Sequence, residues 1–176
     1  MIEYKVRVFP SGAHNWYLND KIHREDGPAV THPNGTQKWY LNDKLHREDG
    51  PAGVLADGTQ SWFLNGERHR EDGPAIIYAD GRQSWLLNGE HHREDGPAII
   101  CANGQQRWFL NGKLHREDGP AAVYPDGKQR WYLNDKELTE EEFNNRHKTE
   151  LTLEDIAEKF NISINNLKIK KWLNIQ

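Results

Sequence analysis

Apolar and polar positions along this chain recur on one beat. A tryptophan, an aromatic residue or leucine, and a leucine come first, as in Trp39-Tyr40-Leu41 and Trp85-Leu86-Leu87. Asn-Gly or Asn-Asp follows, then a charged stretch, then a short run such as Ala75-Ile76-Ile77-Tyr78. Trp16, Trp39, Trp62, Trp85, Trp108 and Trp131 are each 23 residues apart, and a glycine stands four residues before every one. Five full periods run from Trp16 to Arg130, with a half unit on either side. Self-similarity at such a period marks a repeat array, in which each unit buries its faces against its neighbours.

Each period carries two turn signals, which leave room for two strands of about six to eight residues. Asn65-Gly66, Asn88-Gly89 and Asn111-Gly112, with Asn19-Asp20, Asn42-Asp43 and Asn134-Asp135, suit a two-residue turn whose residues accept positive φ. Asn34-Gly35, Asp57-Gly58, Asp80-Gly81, Asn103-Gly104 and Asp126-Gly127 form the second set. The unit is therefore a β-hairpin. The expected fold is mainly β: an elongated antiparallel sheet of about six stacked hairpins over residues 1–136, and a small α-helical module over 137–176.

With Asn19-Asp20 as the turn, Leu18 faces Lys21, Tyr17 faces Ile22 and Trp16 faces His23. A two-residue turn at Asn34-Gly35 would set Trp39 opposite Val30. His23 and Val30 differ by an odd number, so a regular strand would put them on opposite faces. A bulge at Asp-Gly-Pro would restore the parity. Gly27-Pro28, Gly50-Pro51, Gly73-Pro74, Gly96-Pro97 and Gly119-Pro120 are thus expected to be structural. The six tryptophans are expected to form a buried ladder, since a buried Trp hides about 150–250 Å². An aromatic binding cleft is the competing reading of the same rings.

Composition then narrows the classes. Lys plus Arg is 23 and Asp plus Glu is 27, for a formal charge of −4. That balance argues against non-specific nucleic-acid binding. The single cysteine, Cys101, allows no internal disulfide and suits a reducing compartment, where it reads as a small packed hydrophobe. Residues Met1 to Phe9 lack the apolar core of a signal peptide, and no apolar run is long enough to span a membrane. A cytoplasmic location is expected.

The repeated His-Arg-Glu-Asp is the obvious candidate for chemistry. Equivalent positions in neighbouring hairpins lie two strands apart, about 9–10 Å. Zinc–ligand bonds are about 2 Å, so neighbouring histidines cannot share an ion. No metal, cofactor or catalytic residue is expected, and the chain reads as non-enzymatic. The motif reads first as a structural ladder of Arg with Glu or Asp, and otherwise as a repeated binding row. The candidate binding residues are His46, Arg47, His69, Arg70, His92, Arg93, His115 and Arg116.

The string Trp-Tyr-Leu-Asn-Gly/Asp-Lys-x-His on a 23-residue period resembles the MORN repeat, over roughly residues 4–136. It is most similar to MORN-like variants of tailed phages and large DNA viruses. The resemblance implies an elongated sheet of hairpins that arranges partners. It further implies a virus-encoded protein that binds and inhibits a host protein in the host cytoplasm. His-Arg-Glu-Asp-Gly-Pro replaces the closely spaced glycines of the standard unit, so lipid contact is not carried over. Alternatives are a protein sequestering nucleotides or other anions on Arg/His rows, and a DNA-binding regulator acting through its C-terminal helices. Homo-oligomerisation is compatible with each.

After Lys136 the period breaks. Thr139 with Glu142 predicts a capped helix start. Thr152 followed by Leu153, Ile156, Ala157 and Phe160 predicts a second helix over 153–160. A turn near 164–167 and a strand or basic end over 167–171 are expected to follow. The 153–163 stretch is similar to the first helix of helix-turn-helix domains and to the helical part of LysM modules. An end cap or docking module is the preferred reading.

Overall fold

The structure, a computed structural model, describes residues 3–146, 153–161 and 163. The chain divides into two compact units, Met1–Glu140 and Glu141–Gln176.

The first unit is built on one 14-stranded antiparallel sheet. Its order follows the chain from Lys5–Val8 and His14–Leu18, through pairs such as Val30–Thr31 and Gln37–Lys38, to Gln129–Leu133 and Lys136–Leu138. Four small hairpins stand apart from this sheet, the first being Tyr40–Leu41 with Lys44–Leu45 and the last Phe109–Leu110 with Lys113–Leu114. Each inner period therefore holds two short strand pairs rather than one pair of long strands. The expected strands of six to eight residues are cut to two because the chain changes sheets at Trp39, Trp62, Trp85 and Trp108, whereas Trp16 and Trp131 sit inside unbroken five-residue strands. The Trp39 N–H bonds to the Ala52 carbonyl on the long-sheet side (2.8 Å). Its own carbonyl accepts from His46 N–H in the hairpin (3.1 Å).

The first turn behaves as the Asn-Gly and Asn-Asp signals require. Tyr17 pairs with Ile22 and Leu18 with Lys21, and Asn19 and Asp20 have φ of 50° and 60°. The second turn differs by one residue. Val30 pairs with Lys38 and Thr31 with Gln37, so Trp39 does not face Val30. His32 closes on Thr36 around a three-residue loop, with Gly35 at φ 91°. This is a type I turn continued by a left-handed glycine. With Val30 opposite Lys38, no bulge is needed to restore the parity. Asp-Gly-Pro does interrupt the strand, but as a break of seven residues, 23–29, between Lys21–Ile22 and Val30–Thr31.

A two-stranded hairpin alone is marginal in water. Here each is tied to the next: Gly66 N–H donates to the Leu45 carbonyl (2.8 Å), and Arg47 N–H to the Phe63 carbonyl (3.1 Å). Units that carry Asn-Asp add a further tie, because the Asp43 carboxylate accepts Ile22 N–H at 2.7 Å and Asp135 accepts Leu114 N–H at 2.8 Å.

The most deeply buried row of the core is alanine, joined by larger residues such as Ile76 and Leu86. Ala29, Ala52, Ala75, Ala98 and Ala121, the alanines that end each Gly-Pro-Ala, are wholly buried. Among the described residues no large side chain is wholly buried; all six repeat tryptophans are only half-buried, which corrects the expectation of a buried ladder.

In the second unit, helix α1 (Glu140–Asn145) begins directly after Thr139, and α2 spans Leu153–Phe160 as its periodicity predicts. Along α2, Ala157 is buried and Ile156 half-buried, while Phe160 is exposed. Thr152 and the expected elements over 164–171 lie outside the described residues. Among the described residues, no helix is long and apolar enough to cross a membrane.

Candidate binding surface

Five of the six half-buried tryptophans owe their cover to arginine. Arg24, Arg47, Arg70, Arg93 and Arg116 each lie over the ring of the tryptophan eight residues earlier, with Cζ 4.0–4.3 Å from the ring centroid. A guanidinium over an indole face is worth about 0.5–2 kcal/mol, depending on desolvation. Its Nε donates to the aspartate two residues on, at 2.6–2.8 Å, and Nη1 approaches the proline carbonyl four residues on, at 3.4 Å.

The glycine between that aspartate and proline has no positive φ, so it is not chosen for conformation. It makes room. A Cβ at Gly73 would meet Arg70 Cζ at 3.0 Å, and at Gly96 Arg93 Cζ at 2.9 Å. Arg-Glu-Asp-Gly-Pro is thus a clamp holding one guanidinium flat between an indole and a bare Cα. The arginine's hydrogen bond pulls Asp26, Asp49, Asp72, Asp95 and Asp118 below the ordinary carboxylate range.

The histidines are fixed from the following unit. Asn65 N–H donates to His46 Nδ1 at 3.1 Å, and Asn88, Asn111 and Asn134 do the same for His69, His92 and His115 at 3.2 Å. Each asparagine holds its N–H there by adopting the left-handed conformation. The same asparagines bring their side-chain Oδ1 to 2.8–3.1 Å from that Nδ1, so the following unit offers the ring nitrogen both a donor and an acceptor. Nε2 lies 3.5–3.8 Å from the glutamate two residues on.

The motif therefore presents two layers. His46, Arg47, His69, Arg70, His92, Arg93, His115 and Arg116 are largely covered, with side-chain exposures of 12–26%, whereas the Glu and Asp of the same motifs reach 80–85%. The surface row is acidic, and its basic partners lie beneath it.

Between consecutive units the motifs border a groove, and the groove recurs four times. The one between the second and third units is lined by Arg47, Glu48, Asp49 and Gly50 on one side, and by Trp62, Leu64, His69 and Arg70 on the other. The volumes are about 500 to 810 Å³. Each joins an apolar patch of indole and leucine to a carboxylate rim. The His and Arg of these grooves were legible in the sequence, and an aromatic cleft was the competing reading of Trp62 and its equivalents; Leu64 and its equivalents were not singled out. The signal was present: an Arg follows five of the six repeat tryptophans at a spacing of eight. Among the described residues, no three His, Cys, Asp or Glu gather in a way that could hold a metal ion. Cys101 is half-buried in a position held elsewhere by Leu55, Tyr78 and Tyr124.

No family model matches the chain. No curated protein matches it either.

Proposed function

We propose that the chain is a non-enzymatic repeat scaffold that binds another protein along the row of four inter-unit grooves. The observation that carries this reading is the fourfold recurrence of one groove with an apolar floor and an acidic rim. Linked copies of a weak site raise the effective concentration of each further contact, which favours an extended partner over a small ligand. The carboxylate rim repels phosphate, and each motif arginine already spends its Nε and its flat face inside the clamp. Both features weigh against nucleotides, other free anions and nucleic acid as ligands. The resemblance to MORN-like units of phages and large DNA viruses supports a virus-encoded protein directed at a host protein in the cytoplasm.

The test is comparative capture from host cytoplasm, using the full chain and a Glu48→Lys/Glu71→Lys/Glu94→Lys variant. These carboxylates are exposed, so the variant is expected to keep its β circular dichroism. A protein retained by the parent chain and lost by the variant supports the proposal. Equal recovery by both, or recovery by neither, refutes it.

A further inference from the structure

The first unit has no preceding His-Arg-Glu-Asp motif, and a tyrosine stands where a motif wall would be. In the 23-residue register Tyr4 occupies the position of Gly27 and its equivalents. Its ring meets Trp16 edge-on, at 5.8 Å between centroids and 77° between planes, and lies 6.4 Å from the His23 ring. Its hydroxyl accepts the backbone N–H of Glu25 at 3.4 Å. The His23 side chain is correspondingly the most covered of its row, at 8% exposure against 12–16% for the other four.

The later units repeat Trp, His and Glu but have no such tyrosine. Their guanidinium stacks leave the tryptophan on the groove wall, as Arg24 leaves Trp16 free to meet Tyr4. The backbone N–H groups of Glu48, Glu71 and Glu94 have no partner among the described residues. A phenol supplies both missing contacts, an aromatic ring for the indole and an oxygen for the N–H.

We infer that the three grooves at Trp39, Trp62 and Trp85 are each a seat for a tyrosine side chain from an extended, basic protein segment, with Tyr4 filling the equivalent seat of the first unit. The inference rests on the protein-binding reading above and names the chemistry of that partner. The exposed Glu and Asp of the rim favour Lys or Arg beside the tyrosine. Neighbouring seats are two strands apart, about 9–10 Å. A segment in the polyproline II conformation rises about 3.1 Å per residue with three residues per turn, so a tyrosine at every third position returns to the same face and reaches successive seats.

Binding of the full chain to a synthetic (Lys-Tyr-Ser)₅ peptide tests this by calorimetry. The controls are (Lys-Ala-Ser)₅, which keeps the charge and loses the rings, and (Lys-Tyr-Ser-Ser)₄, which shifts the spacing. The expected result is affinity for (Lys-Tyr-Ser)₅ at least tenfold above either control. The indole N–H signals of Trp39, Trp62 and Trp85 should shift on binding while that of Trp16 does not. In a Tyr4→Ala variant Trp16 should respond as well. Equal affinity for the alanine peptide would reduce the row to an electrostatic surface and overturn the inference, and so would no binding at all. Either failure leaves the scaffold reading to its own test, since loss of a captured protein in the Glu→Lys variant does not depend on tyrosine.

Discussion

At the scale of single residues, the repeat is a set of positions each tied to one physical demand. Asp43 shows how a departure from the common pattern is absorbed. Where Gly66 stands in the next hairpin at φ 92°, Asp43 stands at φ 66° and accepts the Ile22 N–H at 2.7 Å. An aspartate here accepts the left-handed strain and gains a bond between units. Asp43→Ala keeps the strain and loses the bond, so it should destabilise by about 1–2 kcal/mol in urea denaturation. Asp43→Gly loses the bond but relieves the strain, and should recover about half of that loss. Gly73→Ala is governed by different physics, since φ is not positive there. The guanidinium of Arg70 must move off its seat, which should cost about 1 kcal/mol in stacking and hydrogen bonding. A larger red shift of tryptophan emission should accompany it than accompanies Asp43→Ala.

At the scale of elements, the parts closest in sequence were the easiest to read. Asn-Gly and Asn-Asp determine a two-residue turn from their own backbone preferences, and the register of the first hairpin follows. The helix after Thr139 is legible for the same reason. The second turn misled because Asn34-Gly35 looks like the same signal, whereas its glycine closes a three-residue loop and moves Val30 opposite Lys38. Nothing local distinguishes the two; the pairing of Gln37–Lys38 with Gly53–Val54 of the following unit accompanies the choice. The division of each unit into long-sheet strands and a separate hairpin was hidden too, because it depends on hydrogen bonds to residues 13 and 19 positions away. Acid should expose the joints between elements. The clamp aspartates have folded values below the ordinary carboxylate range, so their contribution is present above about pH 4 and lost as pH falls through that range. His91 is lowered by burial and by Arg68 nearby, so its protonation favours unfolding below about pH 6.5. The urea midpoint should therefore fall in two stages as pH is lowered. His91→Leu, which copies Leu45 and Leu114, should remove the earlier stage and leave the later one.

At the scale of the molecule, the repeat array was legible from spacing alone, and the location of its core was not. Large tryptophans suggest a buried ladder, yet the wholly buried row is alanine and the indoles are covered by arginine from above. The alanines carried a signal, since one closes every Gly-Pro-Ala, but small size draws less notice than a ring. Periodic construction makes length adjustable. Deleting residues 63–85 joins Trp62 to Leu86 in register and should give a cooperative fold with a smaller urea m-value. Deleting 63–84 instead offsets every later contact by one residue and should abolish the cooperative transition. The hydrogen bonds from each hairpin to the one before it also give the array a direction of assembly in time. A ribosome adds 23 residues in about one to five seconds, and a hairpin forms in about 1–10 μs. Each newly made unit therefore finds its predecessor already folded and presenting a free edge, so the array can grow by accretion during synthesis, with Tyr4 packed on the first unit of the row.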